Sequence, residues 1–138
     1  MGQQQLLLII LGVIVVGIAV AVGITMFKDN AVSANRDAVT NDLVNLAARA
    51  QQFFRRPTSL GGGQGTFAGL TADQAGLQRL TSMKNGQNAN GIYAIMTAGT
   101  GTTVVLKGTG NEVGNDGSTV VEVHMTVWAD SATAAVTN

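Results

Sequence analysis

Leu6 to Phe27 is a run of 22 residues without a charge, interrupted only by Gly12, Gly17, Gly23 and Thr25. At about 1.5 Å per residue such a helix is roughly 33 Å long, matching the roughly 30 Å hydrocarbon core of a bilayer. A core helix of a soluble protein this small would carry a polar face, and this segment has none. A secretory signal would need a basic start and an apolar core of about 7–15 residues. Met1 to Gln5 contains no Lys or Arg, the apolar run is longer, and Ala19 to Ala21 lies inside the run rather than after it. The segment is therefore expected to span a membrane.

The rest of the chain divides by composition. The expected zones are residues 1–27, an apolar helix half; residues 28–56, its amphipathic continuation; and residues 57–138, a glycine-rich head. Lys28 to Arg56 holds no glycine or proline, whereas 14 of the 18 glycines follow Pro57. Proline cannot continue a helix and pushes its predecessor out of the α region, so the boundary falls at Arg55-Arg56-Pro57. If Gln3 to Arg56 is one helix, it is 54 residues and roughly 81 Å long.

Within the second zone Val32, Val39, Leu46 and Phe53 repeat every seven residues, with Leu43 and Ala50 at intermediate heptad positions. Arg36 occupies the remaining intermediate position, so the seam is imperfect, while Val44, Ala47, Ala48 and Phe54 widen the stripe. One face is expected to cover the head while another meets neighbouring helices; packing on its own head alone is the alternative.

The third zone opens on a surface loop with Gly61-Gly62-Gly63-Gln64-Gly65, followed by a short helix over Ala72 to Leu80 capped by Thr71 or Asp73. Three strands are expected, Ile92–Thr97, Thr102–Lys107 and Thr119–Trp128, the last with Val121, Val123, Met125 and Val127 on one face and Glu122, His124 and Thr126 on the other. Gly99, Gly101, Gly108, Gly110, Gly114 and Gly117 are placed in turns of an antiparallel meander. The fold class is α+β: a long N-terminal helix, its apolar half protruding, packed on a small antiparallel sheet head like a lollipop.

Residue chemistry excludes more than it proposes. Lys and Arg number 8, Asp and Glu number 8, and charged residues are 12% of the chain. A balanced, weakly charged chain lacks the basic surplus of a nucleic-acid binder. With no cysteine and the single histidine His124, thiolate and multi-histidine metal sites are excluded. The glycine-rich loop lacks the lysine and hydroxyl residue of a phosphate loop. Asn111, Glu112, Asn115 and Asp116 offer oxygen ligands, but without calcium-loop spacing, and read as a hairpin turn. Glu122 and His124 share a strand face with no nucleophile beside them and read as a surface pair. No catalytic residue, cofactor or metal is expected, and the chain reads as a non-enzyme.

An apolar N-terminal helix, its amphipathic continuation and a small antiparallel sheet together resemble the type IV pilin family and its pseudopilin relatives. The resemblance covers the architecture of the whole chain and is concentrated, as sequence, in Gly2 to Phe27. It implies removal of a basic leader, residence in the inner membrane, and then assembly by pilus machinery into a cell-surface filament of identical subunits. The implied filament core is Gln3, Gln4, Gln5, Leu6, Leu8, Ile10, Gly12, Val15, Gly17, Val20, Gly23 and Phe27, and the implied roles are adhesion, motility or surface attachment. Two family features are missing. A glutamate stands fifth in the mature pilin chain, whereas the fifth residue here is Gln5, or Leu7 after a cut at Gly2; and there is no C-terminal disulfide. Gln3, Gln4 and Gln5 are expected to replace the missing ion pair with a layer of neutral hydrogen bonds. Gly12, Gly17 and Gly23, set among β-branched residues, are expected to let the helix break or stretch once it leaves lipid.

Two other readings stand beside this one: a single-span anchored binding domain, and a pseudopilin that forms a short piston. Cations follow the span (Lys28, Arg36, Arg49, Arg55, Arg56) and none precedes it, which taken alone favours a cytoplasmic head. A removed basic leader, or a domain translocated regardless of charge, reverses that orientation.

Overall fold

The computed structural model describes residues 2–138. Helix α1 runs without a break from Gly2 to Arg55, 54 residues, because no proline interrupts it before Pro57. The chain divides into two compact units, Met1–Ala31 and Val32–Asn138.

The first unit is the apolar half of α1, and every described side chain up to Asn30 is exposed. The second unit holds the remainder of α1, the short helix α2 (Gln74–Gln78), and strands β1 (Gly91–Thr97), β2 (Thr103–Val113), β3 (Val120–Trp128) and β4 (Ala132–Val136). The strands form one antiparallel sheet in the order β1-β2-β3-β4, so the expected α+β class, with a helix packed on a small antiparallel sheet, is what is found.

The core lies between α1 and one face of the sheet. Val39 and Leu43 of α1 meet Tyr93 and Gly108, and a Cβ at Gly108 would stand 2.6 Å from Val39 Cγ1 and 3.2 Å from Leu43 Cδ1. The helix thus crosses β2 where the strand has no side chain, the close approach that an interior strand glycine permits. Val121, Val123, Met125 and Val127 alternate into the same core from β3.

Three sequence expectations need correction. Strand β2 does not end at Lys107 but continues through Gly108 and Gly110, which pair with Tyr93 and Gly91 of β1 instead of turning. A fourth strand exists: Ala132–Val136 pairs with Val123–Val127 of β3. Helix α2 is only five residues; Asp73 caps it, accepting from Gly76 N at 2.8 Å.

The glycine-rich segment is also more than a surface loop. It folds back on the end of α1, where Gly63 N donates to Phe53 O (2.7 Å), Gln64 N to Arg56 O (2.9 Å) and Gly65 N to Phe54 O (2.7 Å). Carbonyls that a helix C-terminus leaves unpaired are satisfied here by backbone donors. Gly65 sits at φ +88°, and a Cβ on Gly63 would collide with the Thr66 carbonyl oxygen, so glycine is required at both positions.

Candidate assembly surface

The first unit presents the largest unsatisfied apolar surface of the chain. Between Leu6 and Phe27 the large hydrophobic side chains are 52 to 79% exposed. An 18-residue window of α1 reaches a mean hydropathy of 3.2 with none of it buried. Leu6, Leu8, Ile10, Val15, Val20 and Phe27 are all among these exposed residues. A contiguous apolar surface of this size on a protein marks contact with lipid or with other chains. One helix near the N-terminus is therefore long and apolar enough to cross a membrane.

Gly12, Gly17 and Gly23 lie open, with nothing within 4 Å of an added Cβ, and form notches where another backbone can approach. The helix stays continuous across all three in the isolated chain. Gln3, Gln4 and Gln5 form the first turn, exposed, with no acidic residue beside them. The first four N–H groups of a helix have no partner inside it, so this turn carries both unpaired backbone donors and three amide side chains.

The heptad positions behave differently. Val32, Val39, Leu43, Leu46, Ala50 and Phe53 are each 0 to 3% exposed and belong to the head's own core. Ala47 joins them, whereas Val44 and Ala48 remain exposed. The seam is filled by the chain's own sheet and helix, which leaves only Val44 and Ala48 of the widened stripe exposed. Arg36, the misfit in the heptad, keeps its Nε buried without a hydrogen-bond partner.

Two polar clamps, not evident from the sequence, fix α1 on the sheet. Asp42 Oδ2 accepts from Tyr93 OH (2.6 Å), Asn90 Nδ2 (2.8 Å) and Asn88 Nδ2 (2.9 Å). Burial opposes ionisation of Asp42, but these three donors outweigh it and hold the carboxyl below its ordinary value. Burial first, and then the neighbouring carboxylate, push the Tyr93 phenol up, so a neutral phenol donates to a charged acid. Two turns earlier, Asn35 donates to Asn90 O (3.0 Å) and accepts from Asn111 N (3.1 Å). A lone aspartate in an apolar stripe and three asparagines within Asn85–Asn90 were the only sequence traces of this network.

The remaining polar candidates fall into place as structure. Asn111 and Glu112 lie in β2, not in a turn, while Asp116 closes the β2–β3 hairpin by accepting from Ser118 N and Thr119 N, each at 2.9 Å. Glu122 bridges Lys107 (2.9 Å) and His124 (2.6 Å) on the sheet face away from the core. Lys107 first, then His124, hold its carboxyl below the usual value. Among the described residues no group of three or more His, Cys, Asp or Glu is placed to hold a metal ion.

No family profile, curated protein or solved structure matches this chain. The structure itself shows a long apolar N-terminal helix whose continuation packs on a small antiparallel sheet, a shape consistent with that of a pilin.

Proposed function

We propose that this chain is the structural subunit of an extracellular, type IV pilus-like filament, held in the inner membrane before assembly. The observation that carries the reading is the contrast between the two units: the head closes its core with its own residues, while Leu6 to Phe27 remain exposed on a continuous helix. Lipid satisfies that surface before assembly, and the equivalent helices of neighbouring copies satisfy it in a fibre. Relative to exposure in water, fully burying one large aliphatic side chain is worth about 1.5–3 kcal/mol, so a segment that has left the bilayer is held strongly within the fibre.

In this reading Gln3, Gln4 and Gln5 set the axial register. Their amides and the unpaired first-turn N–H groups recur on every neighbour, so bonds form between copies rather than within one. Gly12, Gly17 and Gly23 are where the helix stretches on leaving lipid. Adhesion, motility or surface attachment are the roles such a fibre performs, and the assembly machinery of pili is the implied partner.

Electron microscopy of material sheared from cells, identified as this chain by mass spectrometry, tests the proposal. Fibres composed of the chain support it. Detergent-soluble monomers confined to the membrane fraction favour an anchored binding domain, and short structures retained at the envelope favour a pseudopilin.

A further inference from the structure

A polar cleft of about 340 Å³ opens on the head, remote in chemistry from the apolar segment. Arg49, Gln52, Phe53, Arg56, Arg79 and Leu80 line it. Arg49 and Gln52, three apart, share one face of α1, Arg56 follows the last residue of that helix, and Arg79 arrives from the end of α2. Three of the chain's eight cationic side chains thus converge, and no carboxylate lines the cleft with them.

These guanidinium groups have little to do inside the fold. Arg49 Nη1 donates to Leu80 O at 3.1 Å, which orients it. Among the described residues, neither Arg56 nor Arg79 makes a side-chain hydrogen bond or ion pair; the ion pairs lie at Glu122. The acceptors that cations usually find at a helix C-terminus are the last carbonyls, and those of Phe53, Phe54 and Arg56 already accept from Gly63, Gly65 and Gln64 N–H. Asp73 makes no ion pair with Arg79, since its carboxylate bonds the Thr71 hydroxyl (2.6 Å) and Gly76 N (2.8 Å), and the two charges attract only at longer range. A weakly charged chain has gathered three like charges in a concave site with no carboxylate in ion-pair contact with any of them.

We infer that this cleft binds a tetrahedral oxyanion, the phosphate or sulfate group of an ester. Guanidinium presents N–H donors in a planar fork suited to oxyanions. A single fork satisfies a carboxylate, whereas three forks and the Gln52 amide match the charge and the several acceptor oxygens of a dianion. The site is independent of the filament proposal, since all of its residues lie in the second unit.

The test uses the full chain in maltoside micelles, labelled with ¹⁵N-arginine and titrated with inorganic phosphate at constant ionic strength. The Nε–H resonances of Arg49, Arg56 and Arg79 should shift together and saturate with a Kd on the order of 1 mM, while Arg36 and Arg55 stay still. Arg79→Gln should weaken binding about tenfold or more, and Arg79→Lys less, because lysine keeps the charge without the fork. Arg56→Gln is the second variant; neither side chain is bonded in the fold, so both proteins should retain the wild-type spectrum elsewhere. Glycerol phosphate in solution and phosphatidic acid mixed into the micelle then separate a free ester from a lipid headgroup, and binding of either sustains the assignment. Non-saturating shifts, equal movement of all five arginines, or an equal response to acetate would overturn it.

Discussion

Tyr93→Phe isolates one bond of the Asp42 clamp. Tyr93 is 1% exposed, and phenylalanine retains its ring packing while deleting the hydroxyl that donates to Asp42 Oδ2 at 2.6 Å. Hydrogen bonds to a charged group contribute about 1.5–3 kcal/mol. Asn88 and Asn90 still serve the same oxygen and Asp42 is only half-buried, so the low end applies, about 1.5 kcal/mol near neutral pH. For a domain of about 100 residues that lowers Tm by about 6 °C. The effect has a pH signature. The Asp42 carboxyl titrates lower folded than unfolded, so its contribution is complete above the unfolded value of about 4 and is lost as pH falls through the folded one. The difference between wild type and Tyr93→Phe should therefore narrow toward a neutral hydrogen bond, about 0.5–1 kcal/mol, near pH 2. Urea unfolding of both proteins in maltoside, followed by far-ultraviolet circular dichroism at each pH, measures it. A loss that is the same at both pH values would refute the charged-acceptor account.

Val15→Asp places an unpaired carboxylate where lipid or a neighbouring helix should lie, costing several kcal/mol in either setting. Fibre yield should fall to background by electron microscopy while the head's Tm is unchanged. Replacing Gln3, Gln4 and Gln5 together with alanine should reduce yield or change the subunit rise, and wild-type assembly should respond little to salt because no exposed charge pair is screened. Unchanged yield and rise would leave the glutamines without a role. Gly108→Ala should destabilise the head by about 1–3 kcal/mol in urea titrations, since its Cβ meets Val39 Cγ1 at 2.6 Å and Tyr93 Cε1 at 3.1 Å.

The elements that could be read from the sequence were those whose signal is local. A 22-residue uncharged run and a helix-ending proline sufficed for α1, a short apolar run bounded by glycines sufficed for β1, and strict alternation for β3. Strand β4 was invisible because Ala132–Val136 is alanine-rich, exposed at all five positions, and extended only through pairing with β3. The second half of β2 was misread because Gly108 and Gly110 carry a turn signature, whereas their glycines answer to the helix above: Gly110 faces Asn35 as Gly108 faces Val39. The apolar surface from Leu6 to Phe27 was legible for the same local reason. The Asp42 clamp and the arginine cleft were not, since Asp42 lies 51 residues from Tyr93, and Arg79 joins Arg49 only once α2 is placed.

The exposure of every described side chain up to Asn30 separates two kinds of constraint on the sequence. The head must retain a folding free energy of about 5–15 kcal/mol, and substitutions in Gly2 to Asn30 remove no contact from its core. Drift in the apolar half is therefore invisible to head stability and is filtered only by whatever covers that surface. Each half can diverge at its own rate, and apolar halves exchanged between heads of this kind should leave both intact.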